Sequence, residues 1–520
     1  MKRTAIILAL SLLMFYTGAN AQVKFFSNFE CGRLGKAELT DSSNIFRPNL
    51  VYNIISAKDP ENPVDTLLEP SSRWFYFLMT GTKGRTITLK FTDTDPWAPM
   101  YSYDNKEWFR YDPDKEMIAK YTAKKKYDRD SVWVAYYIPY TNAHLDEMMD
   151  EWQYRDGVRI YSIGKSYQGR DMKMMMVTNH NIPDKGKKRI YIHARVHPSE
   201  TPCSWCLEGL IEELLSSTPF ARSLRDNAIF YILPFNNPDG VALGHSRCDA
   251  IGVNMEINYD RPDSLTRPEV KNIKNFINTT TYGDNYLDLF LNFHSQIAPH
   301  MTYWVHTEES TSPLYFKKEQ TFTSLTIENN PLFLPDMLSF SMMAPRYIEG
   351  YFWNNAAEHT LAITHETPYS YYNRDSKGER VTLENLKWMG KKTLWAVSDY
   401  LGIATAGRIV IAEPHKASKC EKMEDYDHIY LGDKYYVAEK DGASVTFKHK
   451  NLPAGEYEVY RWVTGDKVKA NAPGENCWEK LYTHSQSKEG TFNLTLELKE
   501  GDKASSLLLI KLEDNNQESE

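Results

Sequence analysis

The sequence predicts an α/β protein: a mixed, mostly parallel sheet covered by helices, flanked by an N-terminal β-sandwich and a C-terminal β domain. Three observations predict this organisation. At 520 residues the chain is longer than one ordinary domain. Residues 146–404 alternate short apolar runs with longer amphipathic stretches, as strands and helices do in α/β folds. The regions on either side are instead rich in alternating, strand-like runs separated by turn residues.

The first segment, residues 1–21, has the three parts of a secretory signal peptide. Lys2 and Arg3 form the positive end, residues 5–16 the apolar run, and Ala19-Asn20-Ala21 a small-residue cleavage site. The apolar run is short for a bilayer span, and no later segment is long and apolar enough to cross a membrane. We therefore expect an exported protein, periplasmic or secreted, with no transmembrane segment after cleavage.

Residues 22–145 are predicted to form the β-sandwich. Aromatic, alternating runs such as "RWFYFLM", "RTITLKF" and "SVWVAYYIPY" are separated by Gly, Pro, Asn and Asp. Alternation with a period of two places apolar side chains on one face of a strand, and the intervening residues favour turns. We expect the strands to be antiparallel.

Residues 146–404 are predicted to form the α/β domain. The strand-like runs are "RIYIHA", "AIFYILPF", "LDLFLNFHS" and "HTLAITHE", and helix-like stretches such as "CLEGLIEELLSS" and "PEVKNIKNFIN" lie between them. Strands that alternate with helices predict a mostly parallel sheet, whose ligand site lies at the carboxyl ends of its strands. After Gly402 the pattern returns to runs such as "GEYEVYRWV" and "TFNLTLELKE", which predict a β-rich domain over residues 405–520.

Charge excludes one class of function. The chain has a net charge of −8 at pH 7 and no block of basic residues, so we expect no binding to nucleic acid. The oligomeric state does not follow from the sequence.

The six cysteines allow two interpretations. In an exported chain, Cys420 and Cys477 lie in the same region and could form a disulfide bond. Cys203 and Cys206 form a C-x-x-C pair at the start of a helix-like stretch, which resembles a thiol redox site. We favour the alternative that these two are small residues that pack one face of the helix.

Polar side chains follow three of the predicted strands. His197 and Glu200 follow "RIYIHA", His294 ends "LDLFLNF", and Glu366 ends "HTLAIT". Two histidines and a carboxylate would hold zinc and leave its fourth position open for water or substrate. Each cluster alone is weak evidence for a metal site, because H-x-x-E is a short motif and polar residues at strand ends are often simply exposed to solvent. Their occurrence at three strand ends favours a metal site.

Five stretches match the pattern of a known family: "YSIGKSYQGRDM", "ARVHPSET", "PFNNPDGV", "SRCDAIGVN" and "THET". Through them the chain resembles the zinc carboxypeptidases of the carboxypeptidase A type. It is most similar to the cytosolic carboxypeptidase branch, which has bacterial relatives and whose members trim glutamates from protein tails. The aromatic β region also resembles the sandwich of that branch, so the resemblance covers roughly residues 25–400. It implies a zinc carboxypeptidase-like fold and a peptide or peptide-like substrate.

The resemblance implies roles for four residues of these motifs. His197, Glu200 and His294 match the ligands of one zinc ion per chain. Glu366 matches the general base that takes a proton from the activated water and passes it to the leaving amine.

Two further roles follow from the same resemblance. Arg247, in "HSRCD", matches the arginine that stabilises the developing oxyanion, and the alternative is a surface ion pair. Tyr347 is our candidate for the tyrosine that closes over the substrate, with Tyr351 as the second candidate.

One motif departs from the family pattern. The family has an Asn-Arg pair that binds the terminal carboxylate of the substrate, whereas Glu256 and Ile257 occupy those positions here. Three interpretations remain open. Arg261 supplies the charge from a different angle, the enzyme accepts a cationic group opposite Glu256, or the loop is re-registered and Glu256 faces solvent.

These observations predict an exported zinc metallopeptidase that hydrolyses a peptide or amide bond with zinc-activated water and has altered recognition of the terminal carboxylate. The alternative is a catalytically inactive protein that binds peptide or glycan on the same fold. Retention of Glu366 favours the enzyme, because a binding protein has no need of a general base.

Overall fold

The computed structural model describes residues 23–40, 49–62, 70–262, 264–281, 285–329, 338–372, 380–403, 409–424, 434–462 and 478–512. The predicted signal peptide and Cys477 lie outside these residues, so cleavage and the Cys420–Cys477 bond stay predictions. The chain divides into two compact units, one of residues 1–142, 197–199 and 239–253, the other of residues 143–196, 200–238 and 254–520. Among the helices of the described ranges, none is both long and apolar enough to cross a membrane.

Two five-stranded sheets form the strand-rich part of the first unit. The described strands are β1 (Lys24–Phe26), β2 (Lys36–Leu39), β3 (Asn49–Ile55), β4 (Tyr76–Thr80), β5 (Thr86–Thr92), β6 (Met100–Ser102), β7 (Phe109–Arg110), β8 (Met117–Ala119), β9 (Thr122–Lys126) and β10 (Ser131–Ala135). The sheet orders are β1-β4-β10-β6-β7 and β2-β3-β5-β9-β8. This confirms the predicted N-terminal strand-rich domain.

Aromatic rings join the two sheets. Phe25 of β1 packs on Tyr52 of β3 with ring centroids 4.9 Å apart, and Phe75 stacks on Phe91 of β5 at 4.6 Å. Burial of such large rings supplies much of the apolar core of a small β domain. The expectation of a wholly antiparallel sandwich is wrong in one place, because β3 and β5 are parallel neighbours. Strand direction depends on which distant strands meet, and the alternating pattern of a single strand does not encode it.

The second unit is built on an eight-stranded sheet. Its strands are β11 (Val158–Lys165), β12 (Asp171–Val177), β13 (Lys188–Ala194), β14 (Ala228–Leu233), β15 (Leu289–Gln296), β16 (Thr302–His306), β17 (Leu338–Ser341) and β18 (Leu361–Pro368). They follow the order β11-β12-β14-β13-β15-β18-β16-β17. The central strands are parallel, whereas β11 pairs with β12, β12 with β14 and β16 with β18 in the antiparallel direction. The predicted mixed, mostly parallel sheet is confirmed.

Helices accompany this sheet. The described ones are α1 (Asn142–Trp152), α2 (Thr201–Leu214), α3 (Pro219–Asn227), α4 (Pro238–Leu243), α5 (Pro268–Thr280), α6 (Pro313–Asn329), α7 (Ile348–Ala356) and α8 (Leu383–Tyr400). The local sequence explains where several of these helices begin. Proline lies in the first turn of α2, α3 and α5, where its missing N–H costs nothing. Thr382 and Asn385 form a reciprocal capping box at the start of α8.

The C-terminal region is a β domain within the second unit, as predicted. Its strands are β19 (Ile409–Ser418), β20 (Cys420–Met423), β21 (Tyr435–Ala438), β22 (Ala443–Leu452), β23 (Gly455–Trp462), β24 (Trp478–Gln486), β25 (Gly490–Leu498), β26 (Lys503–Ala504) and β27 (Leu507–Lys511). They form a six-stranded sheet, β24-β23-β27-β19-β22-β25, and a three-stranded sheet, β20-β21-β26. Tyr435 and Leu508 pack in one apolar cluster with Phe316 and Leu325 of α6, which joins this domain to the α/β sheet.

Candidate active site

The turn after β13 carries the first two predicted metal ligands. β13 ends at Ala194, and α2 begins at Thr201 with Glu200 as its N-cap residue. Arg195 has a φ of 59°, a left-handed conformation that residues with a Cβ rarely adopt. His197 and Glu200 are 1% and 2% exposed. The strand, turn and helix therefore bring both side chains to the carboxyl end of β13, where the sequence predicted them.

The side chain of Arg195 lies beneath this turn and was not predicted. It is fully buried. Its Nη1 donates to Ser204 Oγ at 3.2 Å, and its guanidinium lies 5.0 Å from the centre of the Phe235 ring. A buried cation with a cation–π contact and a hydrogen bond helps to fix the turn that contains it. The only sequence signal was an arginine directly after an apolar run, which does not distinguish a buried arginine from an exposed one.

His294 of β15 and Glu200 form a buried pair. Nδ1 of His294 lies 2.9 Å from Glu200 Oε2, and the amide of Ser295 donates to the same oxygen at 3.1 Å. Burial lowers the pKa of His294, but the Glu200 carboxylate outweighs this effect and raises the pKa to about 9. Because Nδ1 is bonded to Glu200, the atom that His294 can offer to a metal is Nε2. A carboxylate commonly orients a metal-binding histidine in this way.

A second carboxylate, Glu256, lies close to His294. His197, Glu256 and His294 each offer one ligand atom, and these atoms all lie within 4.8 Å of one another. Two imidazole nitrogens and a carboxylate oxygen are the donor set of many catalytic zinc sites. The sequence predicts Glu200 as the carboxylate ligand and leaves the role of Glu256 open, whereas in the structure both carboxylates lie beside His294. Among the described residues, the carboxylate grouped with the two histidines is therefore that of Glu256, and Glu200 contacts this group through His294.

Glu366 is the neighbour of His294 across the sheet. β15 and β18 are parallel, and their register pairs His294 with Glu366 and Ser295 with Thr367. Ser295 Oγ and Thr367 Oγ1 lie 2.8 Å apart and tie the strands together at this level. Glu366 is partly exposed, whereas His294 is buried. A partly exposed carboxylate beside candidate ligands is suited to exchange a proton with water and substrate.

Arg247 lies in the part of the first unit formed by residues 239–253. Its amide donates to Oδ2 of Asp59 at 2.7 Å. The residue is partly exposed, and the bond to Asp59 holds its backbone. The predicted role of Arg247 at the oxyanion stays a prediction.

The two candidate tyrosines differ in their contacts. Tyr347 precedes α7, is partly exposed, and accepts a hydrogen bond from Arg346 Nη2 at 3.3 Å. Tyr351 donates its hydroxyl to Asn278 of α5 at 2.8 Å and packs against the apolar cluster behind the sheet. The hydroxyl of Tyr351 is therefore engaged with a neighbouring helix, which favours Tyr347 as the closing residue.

The departure from the family pattern lies in a short 3₁₀ helix, Met255–Ile257. Asn254 caps it by accepting the amide of Glu256 at 3.0 Å. Ile257 is 4% exposed, whereas Glu256 and Arg261 are partly exposed. Ile257 therefore packs in the interior, whereas its neighbour Glu256 remains partly accessible to solvent.

The C-x-x-C pair lies inside α2. Cys203 and Cys206 are both free and fully buried. Burial raises the pKa of the Cys203 thiol to about 12 and that of Cys206 well above its usual value. Buried thiols with raised pKa values are poor nucleophiles, so the structure favours the packing interpretation over the redox one.

Two regions of the chain are similar to known protein families. A zinc carboxypeptidase family model matches residues 143–332, and a model of the cytosolic carboxypeptidase N-terminal domain matches residues 25–137. The chain is 26% identical over 435 residues to mouse cytosolic carboxypeptidase 6, which covers 77% of each chain. It is 29% identical over 243 residues to an uncharacterised protein of Zymomonas mobilis, which covers 44% of this chain and 60% of that protein.

Solved structures share the fold. A metallo-carboxypeptidase from Burkholderia cenocepacia aligns with a TM-score of 0.60 and 22% identity, covering 73% of this chain and 99% of the other. A metallo-carboxypeptidase from Pseudomonas aeruginosa aligns with a TM-score of 0.58 and 21% identity over 73% of this chain and 99% of the other. The chain therefore contains a region similar to the zinc carboxypeptidase domain, whose family uses one zinc ion, and a region similar to the cytosolic carboxypeptidase N-terminal domain. The predicted family and enzyme class are confirmed.

Proposed function

We propose that this protein is a zinc carboxypeptidase-like hydrolase of peptides in which His197, His294 and a carboxylate hold one zinc ion. The observation that supports this most strongly is the group of His197, Glu256 and His294 within 4.8 Å, with Glu200 bonded to His294. Glu200 is the carboxylate ligand implied by the family motif, and Glu256 is the carboxylate that lies with the two histidines. When bound, zinc supplies a Lewis acid that polarises the scissile carbonyl and lowers the pKa of water to about 7.

The proton transfers are assigned to Glu366. This assignment is supported by the register of β15 and β18, which pairs Glu366 with His294 on the neighbouring strand. In this proposal Glu366 accepts the proton of the attacking water and then donates it to the leaving amine, so that the same group serves as base and acid. Arg247 provides fixed positive charge toward the developing oxyanion, and Tyr347 closes over the substrate.

Substrate recognition is proposed to differ from that of the family. Ile257 is buried and offers no charge, so the terminal carboxylate of a substrate lacks its usual bidentate arginine partner at this position. If Glu200 is the zinc ligand, the partly exposed Glu256 instead favours a substrate with a cationic group opposite it. Arg261 is the alternative anchor.

We further propose that the protein is exported to the periplasm or secreted, on the basis of its signal-like first 21 residues. Mass spectrometry of the intact protein recovered outside the cytoplasm should show a chain that begins after Ala21. Exported material that retains Met1 would contradict the proposal.

The activity is tested by incubating purified protein with a mixed peptide library and reading the products by mass spectrometry, with and without a zinc chelator. Hydrolysis that the chelator abolishes is the expected result. Glu366→Gln should keep its zinc and its fold and lose turnover by about 10²-fold or more. Persistent binding of peptides without hydrolysis would instead support the inactive binding protein, and parental turnover in the variant would remove Glu366 from the mechanism.

A further inference from the structure

We propose that Asp59 of the N-terminal β domain is a positioning residue for Arg247. The proposal rests on the proposed function, because it concerns the arginine assigned to the oxyanion. All the contacts that support it lie within the first compact unit.

Asp59 binds two consecutive backbone amides. Its Oδ1 accepts the amide of Ser246 and its Oδ2 accepts the amide of Arg247, each at 2.7 Å. Asp59 is 5% exposed, so both bonds are shielded from water. Hydrogen bonds to an ionised carboxylate are shorter and stronger than neutral ones. Two of them to adjacent amides fix the peptide plane from which the Arg247 side chain extends.

Ser246 extends this arrangement in two directions. Its Oγ accepts the amide of Trp74, a fully buried residue before β4, at 2.9 Å. Its carbonyl accepts the amide of Ser199 at 3.2 Å and the hydroxyl of Ser199 at 2.8 Å. Ser199 lies between His197 and Glu200 in the sequence. Through Ser246, the β domain is therefore bonded both to the Arg247 segment and to Ser199, which follows His197 by two residues.

The same cluster could hold a metal ion, but its bonds favour the positioning role. Asp59, His245 and Cys248 offer ligand atoms within 4.8 Å of one another. However, both carboxylate oxygens of Asp59 already accept amides, and His245 Nδ1 lies 2.8 Å from the carbonyl of Asp249. The Cys248 thiol lies 3.4 Å from the same ring nitrogen. These hydrogen bonds hold the loop that contains Arg247 in a fixed conformation.

The variant Asp59→Asn tests the inference, because asparagine keeps the shape of the side chain and replaces one acceptor oxygen with a donor NH2 group. Turnover of the library peptide that the parent cleaves fastest should show kcat lower by about 10-fold to 10²-fold, as misplacement of a catalytic group does, with little change in KM. Asp95→Asn is the matched control. Asp95 is a partly buried carboxylate of the same domain that contacts Arg73 and Tyr136, and its variant should keep the parental kcat.

A double-mutant cycle with Arg247→Ala separates positioning from general stability. If Asp59 acts through Arg247, Asp59→Asn should cause no further loss of kcat in the Arg247→Ala background. Full additivity, or a parental kcat for Asp59→Asn, overturns the inference. If Asp59→Asn does not fold, Ser246→Ala is the second variant, because it removes only the hydrogen bond to the Trp74 amide. It should lower kcat by a smaller factor than Asp59→Asn and should cause no further loss in the Arg247→Ala background.

Failure of the proposed function gives a different result. If the parent shows no chelator-sensitive hydrolysis, or if Arg247→Ala keeps the parental kcat, the role of Arg247 fails and the inference fails with it. If Arg247→Ala loses kcat and Asp59→Asn does not, the proposed function stands and only the positioning role of Asp59 is wrong.

Discussion

Glu256 is the residue whose chemistry departs most from that of the family. It lies within 4.8 Å of His197 and His294, and its neighbour Ile257 is buried. A substrate carboxylate at this position would meet like charge, which typically costs several kcal/mol. We therefore expect the parent to cleave simple reporter peptides with a free terminal carboxylate weakly. Glu256→Asn combined with Ile257→Arg should raise their kcat/KM.

Two controls accompany this prediction. Zinc content of the double variant must match that of the parent, because Glu256 also lies in the candidate metal group. Arg261→Ala should lower cleavage of these reporters if Arg261 is the substitute anchor and should leave it unchanged otherwise. Efficient cleavage by the parent that survives Arg261→Ala would contradict the specificity argument while leaving the zinc mechanism intact.

His365, next to Glu366, permits a prediction about pH. Its ring stacks on Phe293 at 4.6 Å and meets Tyr303 at 5.1 Å, and burial lowers its pKa to about 3. In the unfolded chain its pKa is about 6.5, so the unfolded state binds an extra proton between about pH 6.5 and pH 3. The free energy of unfolding should therefore fall by up to about 1.4 kcal/mol per pH unit as the pH drops below about 6.5.

His365→Phe should remove this contribution, because phenylalanine fills a similar volume and does not titrate. Urea unfolding at pH 7 and pH 5 measures the effect, and the variant should lose less stability than the parent over this range. The exposed His415 provides the matched control, His415→Phe, which should follow the parent. Equal pH dependence in His365→Phe and the parent would show that His365 titrates normally in the folded protein.

At the scale of single elements, patterns within one segment were predicted well and pairings between segments were not. The apolar run before Ala194 and the polar turn after it placed His197 and Glu200 correctly at a strand end, because strand, turn and helix are local in sequence. The approach of Glu256 to His294 depends on how separate elements meet. The parallel pairing of β3 with β5 has the same origin. The left-handed backbone conformation of Arg195 could not be predicted from the sequence, because glycine is the residue that usually adopts it.

The contact between α2 and α8 permits a prediction at the same scale. A Cβ atom on Gly390 would lie 1.8 Å from the carbonyl oxygen of Cys206, and one on Gly209 would lie 2.1 Å from that of Lys387. The two helix backbones therefore touch, and neither can move without shifting the other. Gly390→Ala should lower the free energy of unfolding by about 3 kcal/mol or more, because the obstacle is backbone.

Chemical denaturation with an assay of zinc content measures this effect. Zinc binding should weaken along with stability, because Glu200 directly precedes the first turn of α2. Lys391→Ala is the control on the same helix, since the Lys391 side chain is 41% exposed and pairs with Glu213. It should change stability by less than about 1 kcal/mol. If Gly390→Ala has the same free energy of unfolding as the parent, the two helices can move apart without loss of stability, and the prediction is wrong.

At the scale of the whole molecule, the C-terminal β domain is a structural partner of the α/β sheet. Leu508 and Leu325 are fully buried, and they pack with Tyr435 and Phe316 in one apolar cluster. Burial of one such side chain stabilises by about 1.5–3 kcal/mol. Removal of residues 405–520 exposes Phe316 and Leu325 of α6 and should therefore lower the free energy of unfolding of the remaining chain by roughly 3–6 kcal/mol.

Thermal unfolding of the truncated and full-length proteins tests this, with peptide hydrolysis as the second measurement. Because the truncated chain risks aggregation, Leu508→Ala in the full-length protein tests the same contact and should cost about 2–5 kcal/mol. Trp304, a surface residue of β16 that is 39% exposed, provides the comparison through Trp304→Ala, which should cost less. If the truncated protein instead melts at the parental temperature and hydrolyses peptide at the parental rate, the domain does not support the α/β sheet. Its apolar contact with α6 would then serve only to attach a separate module.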